Sequence, residues 1–185
     1  MPRCLALLRA INVGGHTVKM DRLRQLFEAL GFTHVETFIA SGNVIFDTRA
    51  SKSASLEQKI ERHLCEALGY EVATFVRTAP ELAAVAARQP FAPADLDDPT
   101  HSLYIGFMAA APSAAAQARL LTFRNTVDDF HVEGREVYWL RRTQLSNPAF
   151  PGPPMEKIFA QPLTLRNATT VRKLAAKYAA SENAQ

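Results

Sequence analysis

Cysteine is scarce. Cys4 and Cys65 are the only two in 185 residues, too few for a disulfide framework, and no CxxC pair offers a redox or metal site. Both read as buried thiols in a reducing compartment, so a cytoplasmic location is expected. No apolar run reaches the roughly 18–20 residues that span a bilayer, which argues against a membrane partner. The apolar opening, MPRCLALLRAINV, is interrupted by Arg9 and has no small-residue cleavage site, so it reads as a first strand rather than a signal peptide. The five histidines show no HxxxH spacing and no His-Cys cluster, so no metal is expected. No Ser-His-Asp order can be argued. Asp128-Asp129 reads as a turn. No cofactor motif is present and none is implied.

Charge of one sign is also lacking over most of the chain. Residues 1–134 hold 13 Lys and Arg against 15 Asp and Glu, and residues 135–185 hold 8 against 3. The net charge of +3 is therefore an excess of the last quarter. Such asymmetry is compatible with a polyanionic partner, but solvated helix faces produce it as often, and nucleic acid is not favoured on this ground.

What the chain does have is alternation between strand and helix patterns. Residues 5–13 are apolar on both alternating faces, as in a strand covered on both sides. Met20, Leu23, Leu26, Phe27 and Leu30 form a helical stripe closed by Gly31. Residues 35–41 and 43–47 read as a hairpin about Ser-Gly. Ser55 and Gln58 have capping-box spacing before a second stripe, Leu56, Ile60, Leu64 and Leu68. Residues 71–77 read as a strand. This is βαββαβ, the ferredoxin-like split βαβ order. Thr78 with Glu81 caps a short helix, and residues 90–99 form a proline- and aspartate-rich connection. A strand over 102–109, a helix capped by Ser113, a hairpin about Gly134, a short helix after Pro153 and Pro154, and a last helix capped by Asn167 then follow. The expected fold is α+β, with two ferredoxin-like halves of βαββαβ type, the second degenerate. The expected boundaries are 1–78 for the first half, 79–100 for the short helix and connection, and 101–185 for the second half with its extra C-terminal helix.

The unusual polar residues collect in irregular connections. Arg9, Asn12, Gly14, Gly15 and Lys19 occupy the first, and Ser41, Gly42 and Asn43 the hairpin. Adjacent glycines before a helix start favour an anion, because backbone N–H groups can approach it. The loop is not a P-loop, since the second glycine is missing and Met20 follows Lys19 where a hydroxyl residue belongs. A standard RNA-recognition domain is rejected as well. Its central strands need aromatics, and here only Phe46 qualifies. A third stretch, Arg166, Asn167 and Thr170, opens the final helix. There Asn167 is the N-cap, and Arg166 calls for a carboxylate or a ligand anion beside it.

The set LLRAINVGG…VKM, TFIASGNVIF and TLRNATTVRKL resembles the domain of unknown function 1697 family over nearly the whole chain. The residues the resemblance carries over are Arg9, Asn12, Gly14, Gly15, Lys19, Met20, Ser41, Gly42, Asn43, Arg166, Asn167 and Thr170. Ala10 stands where the family often has Gly, and Ala40 where it often has Gln. The resemblance implies a two-part α+β fold and no activity. Three readings follow. The favoured one is an anionic, phosphate-bearing small molecule or nucleic-acid end bound between the halves by these residues. In the second, the same residues only tie the halves together in a structural or oligomeric protein. In the third, the pocket catalyses a reaction on a phosphate-bearing molecule with His16, Lys19 or Ser41, although no base for Ser41 is evident.

Overall fold

The computed structural model of the chain describes residues 1–12, 15–39, 42–50, 52–143 and 152–178. The chain divides into two compact units. The first is Met1–Ala83 together with the segment from Leu174 onward, and the second is Ala84–Lys173.

The first unit runs β1 (Arg3–Leu8), α1 (Met20–Ala29), β2 (Thr33–Thr37), β3 (Asn43–Asp47), α2 (Ser53–Leu68) and β4 (Thr74–Thr78). Its antiparallel sheet has the order β2-β3-β1-β4, with Leu5 opposite Ile45 and Arg77. The period-two alternation of β1 sends Cys4, Ala6 and Leu8 into a core with Leu23, Phe27, Ile60 and Leu64. The other face carries Leu5, Leu7, Ile45, Phe75 and Arg77, each at most 2% exposed. A strand apolar on both sides is thus buried on both sides, as the sequence suggests.

Helix α1 buries Leu23, Leu26 and Phe27 and ends where Gly31 turns at φ +82°. Helix α2 departs from the sequence reading at its start. It begins at Ser53 with Lys52 as an N-cap that makes no side-chain cap bond, so the Ser55/Gln58 pair lies within the first turns. Nothing in residues 53–55 breaks the helix, so the helix that carries the stripe from Leu56 onward starts ahead of it. Strands β1 and β2 are shorter than their apolar runs, because Ala10 and Ile39 take left-handed φ values of 54° and 59° and turn the chain away from the ladder.

β4 is an edge strand, and its outward N–H groups are all taken by carboxylates. Thr74 donates to Glu61 Oε1 at 2.9 Å, Val76 to Glu57 Oε1 at 2.8 Å and Thr78 to Glu81 Oε2 at 2.8 Å. Glu57 and Glu61 sit one helical turn apart, about 6 Å along the axis. That matches the roughly 6.7 Å between alternate residues of a strand, so one helix face can serve successive edge donors. The Thr78–Glu81 pair is the anticipated capping box, completed by Glu81 N donating to Thr78 Oγ1 at 3.3 Å. It starts α3 (Ala79–Ala87).

The second unit contains α4 (Pro93–Asp97), β5 (Ser102–Met108), α5 (Ala114–Leu121), β6 (Asp128–Glu133), β7 (Glu136–Arg141), α6 (Met155–Phe159) and β8 (Leu163–Asn167), and α7 (Ala168–Tyr178) begins in it. Ser113 caps α5 as the sequence indicates, its side chain accepting from Ala116 N. The sheet order is β6-β7-β5-β8. β8 was not legible beforehand: its five residues carry no turn signal at their end, because Asn167 closes the strand and caps α7 at once, its Oδ1 accepting from Thr169 N at 2.8 Å. With β8 in place the two sheets share one order. Arg77 faces Leu5 in the first and Arg166 faces Ile105 in the second. Each guanidinium donates to the carbonyl of the residue before it, at 2.9 and 3.0 Å. The surrounding sequences differ but the slot is the same. Tyr138 and Trp139 are both buried, on opposite faces of β7.

Candidate functional site

The first two polar stretches meet at one end of the first sheet, beyond the end of β1 and the start of β3. Leu8 N donates to Gly42 O at 2.8 Å, and Arg9 N donates to Ala73 O at 2.8 Å. Gly42 has φ +75°, and a Cβ there would lie 2.7 Å from Ile11 Cγ2 and 3.1 Å from Leu8 Cβ. Only glycine lets the hairpin approach the first connection this closely. Asn43, 1% exposed, donates from Nδ2 to Phe38 O at 2.9 Å and so holds the hairpin from inside. Asn12 Oδ1 accepts from Val18 N at 2.7 Å, joining the two ends of the loop that carries Gly15 and His16.

Within that loop Gly15 takes φ +88°, and the exposed His16 ring lies on Tyr70, with centroids 3.9 Å apart and planes 19° apart. Tyr70 in turn donates its hydroxyl to Ile11 O at 3.1 Å, and burial pushes that phenol up. Tyr70 was missed by sequence reasoning. It lies just past the helix-ending Gly69, and no local pattern there points to a loop some 55 residues earlier.

Arg9 and Lys19 are exposed at the two ends of the first connection. Lys19 is the N-cap of α1 and makes no side-chain cap bond, since a lysine has no acceptor to offer. Asp21 in the first turn is exposed and pairs with Arg24 at 3.5 Å. Gly14 and Ser41 lie outside the described residues.

The third stretch belongs to the second unit. Arg166 is 8% exposed, and its Nη1 donates to Thr164 Oγ1 at 2.7 Å and to Leu165 O at 3.0 Å. Burial lowers its pKa to about 10, so it remains a cation at neutral pH. Asn167 is exposed as the α7 cap, and Thr170 is half-buried. At the start of α7 a cleft of about 110 Å³ is lined by Leu96, His101, Ser102, Leu103, Asn167, Ala168, Thr169 and Arg172. His101 Nδ1 lies 3.0 Å from Asp95 O, and Asp95 is held below the usual carboxylate range by the Arg142 guanidinium bound to it.

Among the described residues no group of three or more His, Cys, Asp or Glu could hold a metal ion. Asp128 instead accepts from Trp139 Nε1 at 2.8 Å. Among the same residues no helix is long and apolar enough to cross a membrane.

A family profile described as "Protein of unknown function (DUF1697)" matches residues 1–138. The chain belongs to this family. The matched span of the DUF1697 chain includes both stretches of the first unit and stops before Arg166. The solved structure of conserved bacterial protein SP0830 from Streptococcus pneumoniae is similar over 96% of this chain and 98% of its own, with 23% identity and a TM-score of 0.74. At that identity the likeness speaks for the fold. No curated protein matches the DUF1697 chain.

Proposed function

We propose that the connection between β1 and α1 binds the phosphate group of an anionic ligand. Arg9 and Lys19 supply charge, and the start of α1 and the Gly15 backbone supply N–H donors. Asn12, Gly42 and Asn43 hold the loop and hairpin in place. The observation that carries the reading is the N-cap of α1. A cation with no acceptor atom, exposed four residues after a left-handed glycine, stands where a Ser, Thr, Asp or Asn would satisfy the helix. A bound anion would accept those donors and offset the unfavourable placement of Lys19 at the positive end of the helix dipole.

The test is calorimetry with inorganic phosphate and a sugar phosphate. Arg9→Ala and Lys19→Ala are each expected to weaken binding about tenfold, the worth of one charge-assisted hydrogen bond. Unchanged affinity in both variants, or no binding by the parent chain, rejects the proposal.

A second reading, in which the motifs are structural only, is favoured by the internal bonds of Asn12, Asn43 and Arg166. It predicts that Arg9→Ala and Arg166→Ala lower the melting temperature and that no phosphate ligand raises it.

A further inference from the structure

The outer face of the His16 ring is unused by the anion-binding reading. The inner face packs almost parallel on Tyr70, and Tyr70 is anchored by its hydroxyl to Ile11 O. The loop that carries His16 is closed by Asn12 on Val18. An exposed histidine on a loop normally samples many rotamers. Here two aromatic rings and two hydrogen bonds hold a flat π surface toward solvent, and ordering of this kind is what a stacking platform requires. Lys19 follows His16 by three residues, so their Cα atoms lie within about 11 Å along the chain. Lysine then reaches further by its own side chain.

We propose that the phosphate-bearing ligand of this loop is a nucleoside phosphate, with its base stacked on the outer face of His16 and its phosphate on Arg9, Lys19 and the start of α1. The proposal rests on the anion-binding reading and adds the ligand class to it. A sugar phosphate or inorganic phosphate engages only the cationic part. A base adds contact with a ring whose other side is already supported. Along the sheet, no second exposed aromatic follows among the described residues: the aromatics of β3 and β4, Phe46 and Phe75, are buried. The platform therefore takes one base rather than a run of them, which fits a free nucleotide or the phosphorylated end of a nucleic acid.

Calorimetry on the full chain compares adenosine 5′-monophosphate, ribose 5-phosphate and a short 5′-phosphorylated oligonucleotide. The expected result is that the mononucleotide binds about tenfold tighter than ribose 5-phosphate, the lower end of what one stacked base contributes. His16→Ala should remove that difference and leave ribose 5-phosphate affinity intact, and His16→Phe should restore it. Thermal unfolding of each variant shows whether the loop has been lost instead. A mononucleotide advantage that survives His16→Ala in a folded variant overturns the proposal. So does equal binding of ribose 5-phosphate and the mononucleotide, which leaves anion binding standing. No binding of any of the three overturns both readings. Tighter binding of the oligonucleotide than of the mononucleotide supports the proposal and identifies the nucleic-acid end as the source, and the reverse order supports it with the free nucleotide as the source.

Discussion

Gly42 shows how a residue can be conspicuous in a sequence for the wrong reason. In Ser-Gly-Asn it reads as a hairpin turn with ligand-binding neighbours, yet its left-handed φ and its contact with Ile11 make it a packing residue first. Gly42→Ala should cost about 1–3 kcal/mol from backbone strain alone, with the Ile11 clash in addition. Urea unfolding measures the loss. Asn43→Ala removes the bond from a buried side chain to the partly buried Phe38 O and is expected to cost about 1–3 kcal/mol by the same measurement. Residue type and spacing were enough to single out both positions. They could not separate the asparagine that props a loop from the arginine that faces solvent, because burial depends on which strands become neighbours. Arg166 illustrates the same limit. It reads as a cation waiting for an anion beside a helix, and it is buried in a strand with Thr164 as a hydrogen-bond partner.

At the scale of elements, the edge of β4 is where local sequence says least. Glu57 and Glu61 look like ordinary helix-surface charges. Their use as acceptors for strand N–H groups follows only once α2 lies along β4. Glu57 is also 3.9 Å from the Arg77 guanidinium, with both side chains nearly inaccessible. Glu57→Ala leaves Val76 N–H and a buried cation without this acceptor and should cost on the order of 3 kcal/mol, read by urea unfolding. Glu61→Ala, at a half-buried site, should cost less. Equal losses would mean that neither Val76 N–H nor the Arg77 guanidinium depends on Glu57. Helices announced themselves well, through stripes and caps such as Ser113 and Thr78–Glu81. Strand ends did not, because Ala10 and Ile39 terminate β1 and β2 through backbone conformations that no propensity assigns to alanine or isoleucine.

For the whole molecule, acid is the condition that should unfold the chain. Burial pushes the Asp47 carboxyl up, but the Arg3 hydrogen bond and charge, with His34, more than offset it and hold the group below its ordinary value. Arg88 bound to Glu133, and Arg142 bound to Asp95, lower those carboxyls too. A carboxyl whose folded pKa is depressed adds stability that is present above the unfolded value of about 4 and is lost as pH falls through the folded one. The melting temperature should therefore be level near neutrality and fall below about pH 4. Arg3→Met should flatten the Asp47 share of that fall. A melting temperature that rises on acidification would contradict this assignment of charges.

The matched arginines of β4 and β8 make the polypeptide its own control. The same substitution made at 77 and at 166 interrogates one architectural position in two surroundings, so errors in the reference state largely cancel between them. Whatever difference remains belongs to the company each guanidinium keeps, with Glu57 among the neighbours of the first and Thr164 among those of the second.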